Sequence, residues 1–592
     1  METYGGRASS RERQETRRPP AVTWCRAAIA MALALVAALV GDAAGEGQET
    51  VAPPSSYNIA TSSSTSAAAA APSSLNVTAI CLATPYPRAC ETALSSRRSS
   101  AAAARDPFAA SVQFAMARAA SARALARSLS SSSRRRGGAP PRAPPPPSGM
   151  DDCAELLDIT LEQLRGAVPG DAGDADAVTT WLSAALTNQG TCGESLADAP
   201  ASTAGRDAVR ARVAALAQFI GTALALHATK LRAAPAPAPA PSPPAAAGTT
   251  AAAALPSWLS RHDRKLLESP ANASGVAFDA VVAADGSGTH RRIGDAVAAV
   301  TSTAASGGGG GGRKVIYVKA GRYEESVSIS SKQRNVMLMG DGKGSTVIVD
   351  GKSVAGGYTT YASATVAAMG SGFIAKGLTI VNSAGPGKGQ AVALRVGGDL
   401  SVVYQCAIQA YQDTLYVHSN RQFYTATDIA GTVDFIFGNA AVVIQSCNIQ
   451  PRRPSPGQKD TVTAQGRTDP NQNTGISIHR CRITGASDLG GTPVYLGRPW
   501  QKYSRTVVME TFLDPSIVPA GWLEWSGQFA LSTLYYGEYG NTGPGAGTSK
   551  RVTWPGVHTS LSTSDAMRFT VANFILGNSW LGGTGVSYIS GL

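Results

Sequence analysis

Isoleucines that recur at one position of short β-rich segments constrain the fold of this 592-residue chain more than any other feature. The recurring residues are Ile380, Ile408, Ile429, Ile449 and Ile483, at separations of 28, 21, 20 and 34 residues. A period near 21 with variable insertions is typical of a parallel β-helix, in which successive coils stack about 4.8 Å apart. We therefore predict an all-β parallel β-helix over residues 276–592.

The same register makes predictions about three cysteines. Cys447 and Cys481 each stand two residues before a register isoleucine on successive coils, which places their Cα atoms about 5 Å apart, within reach of a disulfide. Cys406 has Thr427 as its neighbour on the next coil and is expected to be a free, buried thiol.

Residues 75–232 have the hydrophobic periodicity of helices instead of strands. Apolar side chains recur there at intervals near 3.6 residues, as in the segment from Phe108 to Leu129, and predict an all-α bundle of four or more helices. The expected disulfides are Cys81–Cys90 and Cys153–Cys192, although sequence alone does not fix this pairing. The Pro- and Gly-rich tract at 130–149 predicts a disordered insertion.

The flanking segments indicate secretion. Residues 1–50 combine a basic start with the apolar stretch Ala27–Val40, which predicts a secretory signal peptide, with a type II signal anchor as the alternative. Residues 233–275 form a Pro/Ala linker that carries a candidate protease-processing site, Arg264-Lys265-Leu266-Leu267. Asn76 and Asn272 lie in glycosylation sequons.

Composition excludes several classes of protein. Only 16% of the residues are charged, which argues against a coiled coil, and no further long apolar run suggests a multispan membrane protein. From Glu268 to the end, 26 Lys and Arg stand against 20 Asp and Glu, and this basic excess favours an acidic polysaccharide as partner. Nucleic acid is not expected as a partner, since the basic residues form no concentrated stripe. No spacing typical of a metal site occurs.

Two carboxylates fall at equivalent points of adjacent coils. Asp413 and Asp434 each follow a register isoleucine by five residues, so we expect them roughly 5 Å apart, with the pKa of one of them raised. Gln412 adds an amide that can donate to an oxyanion. This spacing suits both ester and glycoside hydrolysis and does not choose between them.

Five segments then resemble, in order, the signature segments of plant pectin methylesterases. They are Gly321–Glu325 (GRYEE), Gln390–Leu394 (QAVAL), Gln412–Leu415 (QDTL), Asp434–Gly438 (DFIFG) and Leu496–Trp500 (LGRPW). The helical half resembles the pectin methylesterase inhibitor domain that forms the pro-region of longer family members, and RKLL resembles the processing motif between the two parts.

The resemblance implies a right-handed β-helix that hydrolyses methyl esters of homogalacturonan in the plant cell wall, without metal or cofactor. It assigns Asp434 as nucleophile and Asp413 as general acid and base. Gln412 and Gln390 would donate to the oxyanion, and Arg498 would orient Asp434. The resemblance assigns substrate contacts to Thr360, Gln390, Arg498 and Trp500. The helical half is implied to inhibit its own enzyme in a monomeric precursor until a processing protease acts.

Two other functions stay open. A polygalacturonase or lyase is a second kind of pectin-active β-helix, but it needs further carboxylates or calcium ligands, and the sequence places no third aspartate beside Asp413 and Asp434. A non-catalytic role, in which the helical half inhibits other esterases, is the third possibility.

Overall fold

The computed structural model describes residues 76–96, 106–136, 148–168, 175–197, 204–233, 277–302 and 312–592. The signal or anchor at 1–50, the linker with its RKLL site, and Asn272 lie outside these residues. Asn76 is exposed, and its side-chain oxygen accepts a hydrogen bond from the Ala79 N–H at 3.0 Å, which caps the first helix.

The first half of the chain is helical. Its helices are α1 (Val77–Leu82), α2 (Pro87–Leu94), α3 (Pro107–Arg136), α4 (Gly149–Gly166), α5 (Ala175–Ala197) and α6 (Ala204–Ala233). Among the four long helices, α3 packs on α4 and α6, and α5 packs on the same two neighbours. Disulfides join Cys81 to Cys90 and Cys153 to Cys192, as the sequence predicted.

Small side chains form the buried face of α3. Ala115, Ala119, Ala122 and Ala126 are fully buried, whereas Leu125 is only partly so. The sequence prediction took the larger apolar residues as the core face, which is confirmed for Phe108 and Val112 near the start of the helix. Alanines let neighbouring helices approach closely, so the packing here follows the smallest residues of the repeat.

The predicted disordered insertion at 130–149 is wrong at both ends. Helix α3 continues to Arg136, because the first glycines and prolines occur only from Gly137 onward. Helix α4 starts at Gly149, where Ser148 and Asp151 form a reciprocal capping box. Residues 137–147 lie outside the described part.

One described helix is long and apolar enough to cross a membrane by length and composition. It is the segment Gly205–Ala233 of α6, and 56% of its most apolar window is buried inside the protein. Its apolar face contributes to the core of the helical half.

The second half contains three sheets of parallel strands, each built from roughly every third strand along the chain. Sheet I comprises β1 (Ala280–Val282), β2 (Lys314–Val318), β5 (Val336–Gly340), β8 (Ile374–Lys376), β11 (Ser401–Tyr404), β14 (Arg421–Thr425), β17 (Ala441–Gln445), β20 (Gly475–His479), β23 (Arg505–Met509), β25 (Tyr535–Tyr539) and β26 (Val557–His558). Sheet II comprises β4 (Val327–Ile329), β7 (Val366–Ala368), β10 (Leu394–Val396), β13 (Leu415–Val417), β16 (Ile436–Gly438), β19 (Asp460–Gln465) and β22 (Val494–Gly497). Sheet III comprises β3 (Gly321–Glu324), β6 (Thr346–Asp350), β9 (Thr379–Asn382), β12 (Ala407–Gln409), β15 (Asp428–Gly431), β18 (Asn448–Pro451), β21 (Arg482–Ile483) and β24 (Phe512–Leu513).

Three short helices accompany these sheets. They are α7 (Ile293–Ser302), α8 (Thr563–Met567) and α9 (Val571–Phe574). The large parallel sheets are consistent with the parallel β-helix that the isoleucine period predicted.

The isoleucine register is confirmed residue by residue. Ile408 pairs with Ile380 on one side and Ile429 on the other, and Ile449 pairs with Ile429 and Ile483. All five side chains are fully buried and form one ladder of the interior. The stack therefore gains its core from identical side chains on successive coils.

Residues with a left-handed backbone conformation form the turns between sheets I and III. Gln405, Ala426, Ser446, Arg480 and Glu510 occupy the same point of five coils, and each has a positive φ of 47–53°. This conformation costs a residue other than glycine about 1–3 kcal/mol, and it persists only where the surrounding structure imposes it. The repeated turn fixes how each coil enters sheet III.

The predicted Cys447–Cys481 disulfide is wrong for this structure, although the register behind it is right. The two residues precede the paired positions Asn448 and Arg482, and the Cys447 N–H lies 3.4 Å from Cys481 Sγ. Both are free thiols, and each donates to a backbone carbonyl at 3.3 Å, Cys447 to Gln445 and Cys481 to Ile444. The two thiols are neighbours in this structure without a covalent bond between their sulfur atoms.

Cys406 is a free, buried thiol, as predicted. Its backbone N–H donates to the Thr427 hydroxyl at 3.3 Å, and burial raises the pKa of the thiol to about 12.

Candidate active site

One cavity of about 310 Å³ gathers every residue for which the sequence predicted a catalytic or substrate-binding role. These residues come from four coils and from the loops that follow sheet II, and they are Thr360, Gln390, Gln412, Asp413, Asp434, Arg498 and Trp500. They span 141 positions of the sequence, so only the coil stacking brings them together.

Asp413 and Asp434 sit at the same point of adjacent coils. Each lies two residues before the start of a strand of sheet II, and these strands pair Leu415 with Ile436. The Asp413 N–H donates to the Val433 carbonyl at 3.1 Å, which ties the two turns together. Both aspartates have a positive φ, 63° for Asp413 and 52° for Asp434. The surrounding structure therefore holds both residues in an unfavourable backbone conformation, which fixes the direction of their side chains.

Asp434 is held by an arginine fork. Arg498 Nε donates to Oδ1 at 2.8 Å and Nη2 donates to Oδ2 at 2.6 Å. The Thr461 hydroxyl donates to Oδ1 at 2.7 Å, and the Asp434 N–H donates to that hydroxyl at 2.8 Å. Such bidentate, charge-assisted bonds stabilise the ionised carboxylate and fix its orientation.

Asp413 has the opposite environment. Burial first, and then the charges of Asp434 and Glu194, raise the pKa of the Asp413 carboxyl well above its usual range, while Arg498 offsets part of the effect. A protonated carboxyl thus stands beside an ionised one, as expected when two carboxylates share a site.

A third carboxyl near the pair was missed by the sequence argument. Asp460 begins β19, is fully buried, and has no hydrogen-bond partner for either oxygen in the described part of the chain. Burial and the charge of Asp434 raise its pKa to about 9, so it is neutral around pH 7. Asp460 does not line the cavity.

The walls of the cavity combine amide donors with aromatic rings. The side-chain amides of Gln390 and Gln412 line it, and neither forms a hydrogen bond with another described residue. The rings of Tyr416 and Phe437 stack at 4.2 Å, Trp500 meets Phe437 edge-on, and the Arg498 guanidinium lies 4.4 Å from the Trp525 ring centre. Aromatic faces beside polar donors suit a sugar ring.

Helix α5 of the first half closes this cavity. Thr191, Glu194 and Ser195 belong to its lining. The Thr191 hydroxyl lies 3.1 Å from His418 Nε2 and 3.3 Å from the Tyr416 hydroxyl. Earlier turns of α5 make further contacts, including Asn439 Nδ2 donating to the Thr187 hydroxyl at 2.9 Å and Gln472 Nε2 donating to the Ser183 carbonyl at 3.0 Å.

Apolar packing joins the same two surfaces. A single buried cluster contains the core of the four long helices together with Tyr361, Val392, Tyr416, Phe437 and Ala464 of the second half. At its edge, the Thr359 hydroxyl donates to Asp152 of α4 at 2.5 Å.

Three buried histidines, His227, His418 and His479, are packed against polar groups. His227 Nε2 donates to the Ala175 carbonyl at 3.1 Å, and His479 Nε2 lies 3.1 Å from a carboxylate oxygen of Glu510. His418 differs, because burial lowers its pKa to about 3 and its neutral ring contacts the other half of the chain through Thr191. No pattern around His418 in the sequence indicates this contact.

A detectable signal for the α5 surface was present in the sequence. Thr180, Ser183, Thr187 and Thr191 recur at intervals of three and four residues, which places four hydroxyl groups on one helix face. A row of hydroxyl groups on one buried helix face needs polar partners on the surface that it meets.

Comparisons with known proteins agree with this architecture. Residues 279–578 match the Pectinesterase family, and residues 76–226 match the family of plant invertase and pectin methylesterase inhibitors. Probable pectinesterase/pectinesterase inhibitor 35 of Arabidopsis thaliana is 50% identical over 500 residues, which cover 84% of this chain and 90% of the relative. Pectinesterase 2 of Citrus sinensis is 46% identical over 521 residues, covering 86% of this chain and 94% of the relative.

A solved structure matches the second half. The pectin methylesterase from carrot has 55% sequence identity and a TM-score of 0.52, and the match covers 54% of this chain and 100% of the carrot chain.

Stacked parallel sheets with a carboxyl pair in a cleft, behind a helical inhibitor-like region, define a class of carboxylic ester hydrolases. This chain belongs to the pectinesterase family and carries an N-terminal region of the pectin methylesterase inhibitor family.

Proposed function

We propose that this chain hydrolyses the methyl esters of homogalacturonan to pectate and methanol. The observation that carries the proposal is the contrast between two aspartates in one cavity. The Arg498 guanidinium binds and orients the Asp434 carboxylate through two hydrogen bonds. Asp413, whose pKa is raised, keeps its proton.

The reaction has two stages. The Asp434 carboxylate attacks the C6 carbonyl of a methylgalacturonate, and the amides of Gln390 and Gln412 donate to the oxygen that becomes negative. Asp413 gives its proton to the departing methanol, which leaves an acyl group on Asp434. Asp413 then takes a proton from water, and the resulting hydroxide attacks the acyl carbonyl and frees Asp434.

Substrate binding follows from the walls of the cavity. Trp500 offers a face for stacking of a sugar ring, and Thr360 and Gln390 offer polar contacts. Pectin carries more negative charge as esters are removed, so the basic balance of the chain favours both substrate and product.

The first half acts as an intramolecular inhibitor in this proposal. Its α5 helix occupies the cleft beside both aspartates, and the shared apolar cluster stabilises that position. We further propose a secreted, monomeric precursor for the cell wall, a four-helix bundle on a right-handed β-helix, and cleavage by a protease at 264–267. The usual right-handed crossover between parallel strands supports that handedness.

Replacing the nucleophile tests the proposal directly. The variant Asp434→Asn is made in the full chain, which is then cut between its halves. It should release methanol from methyl-esterified pectin at less than a few per cent of the rate of the unaltered protein. Asp428→Asn is the matched control, since Asp428 lies on the same coil but is paired with Lys343 outside the cavity. Full activity of Asp434→Asn would exclude the assigned nucleophile.

The product separates the alternatives. An esterase releases methanol, whereas a polygalacturonase or lyase releases reducing or unsaturated chain ends. Addition of the uncut chain to an unrelated active esterase tests whether the helical half inhibits other enzymes.

A further inference from the structure

Charge is divided unequally among the four long helices of the first half. Helices α3 and α6 together carry eleven Arg and Lys residues and a single acidic residue, Asp207. Helices α4 and α5 carry seven Asp and Glu residues and a single basic residue, Arg165. Because α3 packs on α6, the bundle brings together basic residues that are far apart in the sequence.

The basic pair of helices has its free surface away from the catalytic cleft. Helices α4 and α5 contact the second half, α4 through Asp152 and α5 through its row of hydroxyl groups. Helix α3 packs on α4 and α6, so it stands diagonally across the bundle from α5. A ligand on the outer side of α3 would therefore not compete with α5 for the cleft.

Side-chain contacts between α3 and α6 define an antiparallel groove. Phe114 and Phe219 meet edge-on with ring centres 4.9 Å apart, and Arg212 Nη1 donates to the Ser121 hydroxyl at 3.3 Å. The Arg118 guanidinium lies 4.7 Å from the centre of the Phe114 ring, one helical turn earlier. These five residues form the α3–α6 groove, with two arginines and two aromatic rings along it.

The two arginines of the groove carry charge that no acidic neighbour offsets. Arg118 and Arg212 are exposed, and neither forms an ion pair with a carboxylate in the part of the chain that the structure describes. By contrast, Arg123 and Arg127 on the other side of α3 share the carboxylate of Asp158. The groove therefore attracts anions more strongly than the α3–α4 side does.

Guanidinium groups beside aromatic rings suit an acidic sugar. A guanidinium binds a carboxylate through two parallel hydrogen bonds, and an aromatic ring packs against the apolar face of a sugar. A uronate unit offers the carboxylate and the apolar face in one residue. A nucleic acid or an anionic membrane would offer phosphates instead.

We propose that the α3–α6 groove binds de-esterified homogalacturonan, the polyanionic product of the proposed reaction. The inference rests on the proposed function for the identity of the polysaccharide. Its consequence is that the uncut precursor, and the first half after cleavage, are retained where product has accumulated. The site lies on the inhibitor-like half and is separate from the catalytic cleft.

The uncut chain is the protein to test, because α5 occupies its catalytic cleft. The double variant Arg118→Ala with Arg212→Ala removes both charges of the groove, and Arg118→Glu with Arg212→Glu reverses them. Arg165→Ala with Arg322→Ala is the matched control, since it removes two exposed arginines that lie in α4 and β3.

The first readout is binding of a fully de-esterified oligogalacturonate, measured by calorimetry at low and high salt. The double alanine variant should bind roughly three- to tenfold more weakly, as expected for the loss of two exposed charge contacts, and the double glutamate variant more weakly still. The unaltered chain and the control should bind alike, and salt should weaken both by screening. Unchanged binding in both groove variants would overturn the proposal.

The second readout compares the oligogalacturonate with two other polyanions, a DNA duplex and phosphatidylcholine vesicles that contain phosphatidylserine. Weaker binding of both supports a polysaccharide ligand, whereas equal or tighter binding of either would overturn it.

Methanol release by the cut chain separates this proposal from the proposed function. Methanol release without binding at Arg118 and Arg212 would leave the proposed function standing and remove the groove as a site. Binding that depends on the two arginines, in a protein that releases no methanol, would do the reverse.

Discussion

Two aspartates at the same point of successive coils receive opposite protonation states from their neighbours. Asp434 faces the guanidinium of Arg498 and the hydroxyl of Thr461. Asp413 is buried with no such cation of its own, and the charge of Asp434 adds to the cost of ionising it. One arginine on one side of a stacked pair therefore separates a nucleophile from an acid.

Loss of an oxyanion donor should slow the reaction without changing the fold. We expect Gln412→Ala to raise the barrier by roughly 2–4 kcal/mol, the usual cost of removing one such donor. Steady-state methanol release from the cut chain measures the effect, which should appear mainly in kcat. Gln409→Ala is the control, since Gln409 is exposed three residues earlier. Equal rates in both variants would contradict the role of Gln412.

The buried Asp152 should make stability depend on pH. Burial raises the pKa of its carboxyl to about 6, against the hydrogen bonds from Thr359 and Ser195 and the charge of Arg395. Because the folded-state pKa lies above the unfolded value of 3.8, the folded chain binds the proton more tightly. The stabilising contribution is complete below pH 4 and is lost as pH rises through about 6.

We therefore expect Asp152→Asn to remove part of the decline in stability between pH 4 and 7. The difference between the two free energies of unfolding should grow by about 3 kcal/mol across that range, since each pKa unit corresponds to about 1.4 kcal/mol. Thermal unfolding of the uncut chain at several pH values measures it. Parallel pH profiles would show that Asp152 does not titrate in this range.

At the scale of elements, one face of helix α5 packs in the helical first half of the chain, and another face contacts the second half. Leu182 and Leu186 pack in the helical core, while the stripe of Thr180, Ser183, Thr187 and Thr191 is directed at polar groups of the second half. These buried hydrogen bonds make the position of the helix specific, because an unpaired partner would lose about 1–3 kcal/mol.

Disrupting that stripe should activate the uncut chain. We expect the double variant Thr187→Leu and Thr191→Leu to remove the hydrogen bonds that Asn439 Nδ2 and His418 Nε2 form with this helix, and to weaken docking by roughly 2 kcal/mol or more. Methanol release by uncut protein should rise accordingly. Thr179→Leu is the control, because the Thr179 hydroxyl bonds only to the Ala175 carbonyl within the helix. An uncut double variant as inactive as the control would argue against inhibition through α5.

At the scale of the whole molecule, tethering holds the two halves together. Linked partners meet at an effective concentration near the millimolar level, so even modest docking is almost complete. Cleavage between the halves removes that advantage, and release then depends on the affinity of the two surfaces alone. The shared apolar cluster predicts that separation after cleavage is slow.

Loss of the processing motif should trap the inhibited state. We expect the variant Arg264→Ala with Lys265→Ala to accumulate as an uncut protein with low activity. Immunoblotting for the two fragments, combined with methanol release, measures this. Arg261→Ala is the matched control, a basic residue just outside the motif. An uncut double variant that reaches the wall with full activity would mean that the helical half assists folding or targeting instead.

The sequence by itself determined the features that repeat or stand close together along the chain. The isoleucine period gave the coil register, and that register stacked Asp413 on Asp434 and set Cys447 beside Cys481. Helical periodicity predicted the helical first half, whereas the pairing of its four cysteines was only expected from the sequence and was fixed by the fold. These are local patterns, and identical coils convert them into neighbours across a fixed spacing.

Only the tertiary structure decided which side chains meet across long separations. Thr461, Trp525 and Asp460 join the catalytic pair without any pattern that marks them, and α5 reaches the cleft across more than two hundred residues. The same holds for the unbonded state of Cys447 and Cys481. Contacts of this kind depend on the fit between two complete surfaces and on which buried polar groups still need a hydrogen-bond partner. Neither property appears as a repeat along the sequence.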